Sequence, residues 1–268
     1  SVMKQRKTVA TNVIIAICFV VWLFIQLFPS DSTITNSILI GAFYKPFVLA
    51  GEYWRLLTAG FVHVDLWHLA MNMMALFSLG KIFEPLLGVR RYLLILIPSI
   101  IVGSLFVLAS PENSFVVGLS GGIYGLLAAY VTLIIRTGGW RMPPVRAALM
   151  NMLFINLLLN FLPNISVHAH LGGFVTGLII YGLITTEKEE VYKRINHIVA
   201  LVGLVIVLCF ISWQNRSIPT RSRYLGTDYK VLQILHNGPL REYSYFLAER
   251  LDTVYGLDDG LVNVLGKE

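Results

Sequence analysis

The sequence predicts an all-α protein: a polytopic membrane helix bundle with six core spans, a seventh span after them and a short helical tail. Three observations predict it. Hydrophobic residues make up 56% of the 268 residues and charged residues only 13%, where a soluble domain carries roughly 25% charged residues. Several charge-free stretches reach the roughly 20 residues that a helix needs to cross a bilayer. Lysine and arginine are concentrated in every second segment between those stretches, as in loops that alternate between the two sides of a membrane.

The first span is expected over 9–28. It follows Lys4, Arg6 and Lys7 and so imitates a signal peptide, but it is long and lacks a small-residue cleavage pattern before Pro29. It reads as a retained span. Further spans are expected over 66–84, 92–110, 114–135, 147–162, 168–186 and 196–213. The fifth and sixth share one uncharged run, 147–186, which the segment 161–166 with Pro163 and Asn164 interrupts, because these residues stop helices.

Lys4, Arg6, Lys7, Lys81, Arg90, Arg91, Arg136, Arg141, Arg146, Lys188, Lys193 and Arg194 would fall on one side. Only Lys45 and Arg55 fall on the other before the tail. Cytoplasmic loops collect positive charge, so the N-terminus is expected inside and the C-terminal tail outside. A bacterial plasma membrane fits this pattern. The net charge of +6 is then a topology signal, with the lipid bilayer as the surroundings and no nucleic acid as a partner.

The loop over 29–65 contains Phe43, Tyr44, Phe47, Tyr53, Trp54 and Phe61. Such aromatics favour the membrane–water interface, so the loop is expected to lie on the outer leaflet. Cys18 and Cys209 each sit in a hydrophobic stretch and read as packing residues. The tail, 214–268, suggests two short helices, 228–238 and 239–256, with an apolar face of Leu240, Phe246, Leu247, Leu251 and Val254. It is too short for a large core of its own.

Spans two, four and six run in one direction, and their first turns carry the unusual polar residues. His68 and Asn72 are on span two. Ser120 lies in Gly118-Leu-Ser-Gly-Gly-Ile-Tyr-Gly125 on span four. His168 and His170 open span six, followed by Gly173 and Gly177. Ionisable groups inside spans are costly and mark function by default. Ser120 is a candidate nucleophile and His170 a candidate general base. His168 is its rival, on another face of the helix. Gly173 and Gly177 share the face of His170 and would let it approach span four. His68 and Asn72 share a face, and with the Ser120 N–H they could donate to an oxyanion. Tyr124, one turn below Ser120, could support the imidazole or be an ordinary packing residue. No Asp or Glu lies within spans four or six, so a Ser–His dyad is expected, not a triad. The string Gly118-Leu-Ser-Gly-Gly122 also fits the nucleophile elbow of soluble hydrolases, but a membrane helix is the wrong setting for it.

These pieces resemble the motifs of rhomboid proteases over residues 9–186. Trp54-Arg55 resembles the WR motif of the first loop. His68-Leu-Ala-Met-Asn72 resembles H-x-x-x-N, and Gly118-Leu-Ser120-Gly121 resembles G-x-S-G, with Tyr124 at the matching aromatic position. His170-Leu-Gly-Gly173…Gly177 resembles H-x-x-G-x-x-x-G. The resemblance implies a catalytic core over 1–190, a seventh span over 191–213 and an extracytoplasmic tail over 214–268. It implies Ser120 as nucleophile, His170 as base, and His68 and Asn72 as oxyanion donors. It further implies a water-filled site, sideways access for substrate near span five, and no metal or other cofactor. Single-span membrane proteins would be cut near the outer surface through an acyl-enzyme. Two other readings compete. A metal-binding membrane protein could use His63, His68, His168 and His170. A chaperone for unstable spans would not need Ser120 or His170.

Overall fold

The computed structural model describes residues 7–30, 32–111, 115–161, 165–218 and 221–266. Helix α1 (Val9–Leu27) is followed by α2 (Thr33–Ile40), the two-residue strand β1 (Phe43–Tyr44), α3 (Lys45–Leu49) and α4 (Arg55–Thr58). Two long helices come next, α5 (Leu66–Leu87) and α6 (Val89–Ala109). Strand β2 (Phe115–Val116) leads into α7 (Ser120–Arg136). Then come α8 (Pro143–Leu159), α9 (Val167–Thr185) and α10 (Val191–Gln214). The tail forms α11 (Arg221–His236), α12 (Arg241–Tyr255) and α13 (Gly260–Leu265).

Among the described residues, α1, α5, α6, α9 and α10 are long and apolar enough to cross a membrane; α7 and α8 are shorter, with 17 residues each. At about 1.5 Å per residue, each shorter helix is about 25 Å long. The fourth span was expected from 114 and begins only at Ser120. Phe115 and Val116 instead pair antiparallel with Tyr44 and Phe43. The segment between spans five and six includes residues 162–164, which lie outside the described residues; α8 ends at Leu159 and α9 begins at Val167.

Helices α6, α7 and α9 form the centre. A Cβ at Gly103 of α6 would sit 2.7 Å from the Ala169 carbonyl oxygen, and one at Gly172 would sit 2.8 Å from the Gly103 α-carbon. Gly173 and Gly177 of α9 lie directly against the Gly121 and Gly125 backbones of α7. Small residues are what let membrane helices meet backbone to backbone. Helix α1 docks on α5 through Glu84. Its carboxylate accepts from the Ala10 and Thr11 N–H groups at 2.7 and 2.9 Å and from the Thr11 hydroxyl at 2.6 Å. Those amides are otherwise unpaired at the start of a helix. Helix α8 is loosely held: Leu149 is its one buried residue, and Phe154, Ile155, Leu157 and Leu158 are exposed. Exposed apolar side chains of this kind, with those of α1 and α10, form the surface that lipid would cover.

The aromatics of the first loop divide into two sets. Phe43, Tyr44 and Phe47 are buried, while Tyr53 and Trp54 are exposed. The buried ones join the tail: Ile38, Tyr44, Phe47 and Ala50 pack with Val231, Leu232, Leu247, Leu251 and Tyr255 in one core. Leu240 and Phe246, expected on the apolar face of the tail, are exposed. The short tail gains a core by sharing one with the loop. Polar contacts tie the two together. Asp228 accepts from the Tyr44 hydroxyl at 2.5 Å and from the Tyr255 hydroxyl, and Tyr243 donates to Glu52.

Candidate active site

Helix α7 starts abruptly. Gly118 has φ of +113°, a backbone state that side-chain-bearing residues rarely adopt. Its N–H donates to the Ala59 carbonyl at 3.0 Å. Leu119 is already helical, and Ser120 is the first residue of α7. The first intrahelical bond is Ile123 N–H to Leu119 O at 3.1 Å. The N–H groups of Ser120, Gly121 and Gly122 therefore have no acceptor within the helix. They open at the positive end of the helix dipole.

Helix α5 places its polar pair beside this turn. Asp65 caps the helix, accepting from the His68 N–H at 2.7 Å. A Cβ at Gly118 would lie 2.7 Å from His68 Cε1, 3.0 Å from His68 Nε2 and 3.2 Å from Asn72 Nδ2. His68 and Asn72 thus lie against Gly118, two residues before Ser120 in the chain, where any side chain would close off the space. His63 completes this side. Asn72 Nδ2 lies 3.0 Å from His63 Nε2, the Leu119 N–H donates to the same nitrogen at 3.3 Å, and the His63 ring meets His68 edge-on at 5.3 Å. Burial pushes His63 down to about 3, with His68 acting in the same direction. It is neutral at physiological pH and so can accept.

Helix α9 supplies His170, which is buried, and His168, which is exposed. The His170 ring stacks on Tyr124 of α7, with centroids 4.0 Å apart and planes inclined by 14°. Its Nδ1 lies 2.6 Å from Asn160 Oδ1, at the end of α8. The His170 side-chain bond runs to Asn160, and among the described residues Ser120 and His170 make no side-chain hydrogen bond to each other. Such a bond is often long or poorly aligned before substrate binds. Among the described residues, no three His, Cys, Asp or Glu side chains are grouped as a metal site.

Trp54 and Arg55 lie elsewhere. The Arg55 guanidinium is buried, donating to Glu52 at 2.8 Å and to the carbonyls of Ile38 and Ala42 at 2.6 and 2.8 Å. It ties the first loop together, and Trp54 precedes it on the surface. His63 enters the sequence reading only as a candidate metal ligand, with no catalytic role, and Asn160 does not enter it as a site residue. A signal for Asn160 was present: Asn156 and Asn160 are polar residues four apart in an uncharged stretch, the same spacing that marked His68 and Asn72.

The fold and site define a polytopic helical membrane protein with serine, histidine and amide groups gathered at one end of its central helices. A family model for the rhomboid domain matches residues 50–188. The chain is 30% identical over 181 residues to YdcA of Bacillus subtilis, covering 67% of this chain and 90% of that one. It is 29% identical over 210 residues to the rhomboid protease GluP of Bacillus subtilis, covering 77% of this chain but only 41% of GluP. It is also 29% identical over 152 residues to inactive RHOMBOID-like protein 8 of Arabidopsis thaliana, with coverage of 55% and 42%. The chain belongs to the rhomboid family, a class of intramembrane serine proteases. An inactive relative is similar too, so activity rests on the residues of the site and not on family membership alone.

Proposed function

We propose that the protein is an intramembrane serine endopeptidase that cleaves single-span membrane proteins near the outer membrane face. The observation that carries this reading is the convergence at the start of α7. Ser120 opens that helix, Gly118 abuts His68 and Asn72, and Tyr124 stacks on His170.

In this reading, His170 Nε2 takes the proton from Ser120 Oγ as Oγ attacks the scissile carbonyl carbon. The carbonyl oxygen becomes an oxyanion that accepts from the Ser120 N–H, His68 and Asn72. Collapse breaks the C–N bond, and His170 returns its proton to the leaving amine. Water then attacks the acyl-enzyme, again losing a proton to His170, and Ser120 is released. Tyr124 supports the ring from below. Gly118, Gly121, Gly173 and Gly177 supply the close approach. Trp54 and Arg55 act at a distance by holding the first loop.

The catalytic unit is taken as 1–190, with 191–213 as a seventh span and 214–268 as an extracytoplasmic tail. Charge distribution favours a cytoplasmic N-terminus and a bacterial plasma membrane. A helical substrate has its peptide bonds shielded by its own hydrogen bonds, so spans with Gly, Pro or Ser near the outer end should be preferred. In reconstituted vesicles, a single-span substrate of that kind should be cut by the wild type and left intact by the Ser120→Ala variant. Equal cleavage of a poly-leucine span would overturn the preference.

A further inference from the structure

The base candidate has a partner on α8. His170 Nδ1 and Asn160 Oδ1 are 2.6 Å apart. Which end of the Asn160 amide faces the ring is settled by its other contacts. Asn160 Nδ2 donates to the Asn156 carbonyl at 3.0 Å and to the Tyr124 hydroxyl at 3.0 Å. Tyr124 can accept there, because its own proton goes to the Asn156 carbonyl at 3.1 Å. With Nδ2 engaged twice, the oxygen is left for His170. An amide oxygen only accepts, so Nδ1 carries the proton and Nε2 keeps its lone pair. That is the tautomer a general base acting through Nε2 requires.

We propose that Asn160 is a positioning residue for His170: it fixes the imidazole tautomer and, with the Tyr124 stack, the ring orientation. This rests on the reading of Ser120 and His170 as nucleophile and base. A side-chain amide holding a base histidine is the arrangement of proteases with a Cys-His-Asn triad. No acid is then needed in α7 or α9. The ionisable groups that bear on the ring are Tyr124 from α7 and His68 from α5. Asn160 also caps the C-terminal end of α8, which lies beside the three central helices. A displacement of α8, which has Leu149 as its one buried residue, would carry the acceptor away from Nδ1.

The test compares Asn160→Ala with Asn160→Asp in the whole 268-residue chain in detergent. The readouts are the second-order rate of labelling by a fluorophosphonate probe across pH, and the melting temperature. Losing the partner that orients a metal-bound histidine costs about 10- to 100-fold; on that analogy Asn160→Ala should label slower by about that factor. Asn160→Asp restores an acceptor and should return the maximal rate close to that of the wild type. Its carboxylate also favours the imidazolium, so the acid limb of its pH profile should move to higher pH. A purely structural role predicts that both variants slow together with a lowered melting temperature and an unmoved limb; that result overturns the inference, as does labelling of Asn160→Ala at the wild-type rate. Ser120→Ala separates the two levels. If the wild type labels no better than Ser120→Ala, the underlying reading of the dyad has failed, not the role of Asn160 alone.

Discussion

Substituting Gly173 by alanine probes the contact that brings the two halves of the site together. Gly173 is one turn beyond His170 on α9 and faces Gly121, the residue after Ser120 on α7. A Cβ at Gly173 would lie 2.7 Å from the Gly121 carbonyl carbon and 3.1 Å from its α-carbon, with the carbonyl oxygen nearer still. Ordinary contact begins at 3.4 Å, so from the carbonyl carbon alone the helices must part by about 0.7 Å, the shortfall from 3.4 Å. The obstacle is backbone and cannot rotate away. Overpacking of this kind costs about 1–3 kcal/mol. The same shift moves His170 relative to Ser120, and a misplacement of about 1 Å can cost about 100-fold in rate. Gly173→Ala should therefore label with a fluorophosphonate probe about 10- to 100-fold more slowly and melt at a lower temperature, with its helix content retained. Gly203→Ala on α10, where an added Cβ meets nothing within 4 Å, is the control and should leave both unchanged. If Gly173→Ala labels and melts like the wild type, the close approach of α7 and α9 is not what positions the pair.

Two further outcomes follow from other parts of the molecule. Asn72→Ala removes one proposed oxyanion donor and should lower kcat of substrate cleavage by about 100- to 1000-fold with little change in KM; a loss confined to KM would assign Asn72 to ground-state binding. In the tail, burial raises the Asp228 carboxyl from its ordinary 3.8 to about 6, although hydrogen bonds from Tyr255 and Tyr44 oppose the rise. A raised folded-state value means the neutral form is favoured in the fold. That stability is fully present below about pH 3.8 and is lost as pH rises through about 6, by up to roughly 3 kcal/mol in all. Hydrogen exchange in α11 and α12 should accordingly quicken between acidic and neutral pH after correction for intrinsic rates, and Asp228→Asn should flatten that dependence. Exchange that slows with rising pH would contradict the assigned sign.

What was legible in the sequence follows from how costly polar groups are in hydrocarbon. Ser120, His68, Asn72 and His170 stand out against apolar surroundings, and the fold does bring their helices together at one end. The start of α7 was misread because Phe115, Val116 and Val117 extend the apolar run upstream of Ser120. Only the positive φ of Gly118 and the pairing of β2 with β1 separate strand from helix. The aromatics of the first loop divide because such side chains suit both a membrane interface and a protein core. Which applies to Tyr44 and Phe47 depends on α11 and α12, about two hundred residues away in the chain. Asn160 and His63 act through geometry: the first by the way α8 ends beside α9, the second by a turn that folds it beneath Asn72. The spacing of Asn156 and Asn160 marks a polar face on α8 but not what it meets, and no local periodicity reveals the placement of His63.

The most direct test of the central claim is active-site labelling with a fluorophosphonate probe, followed by peptide mapping. The wild type should be modified at Ser120 alone. Ser120→Ala should not label, and His170→Ala should be slowed by about a thousandfold or more, as when the base of a serine protease is removed. Wild-type protein that labels no better than Ser120→Ala, or that is modified at another residue, would contradict the account.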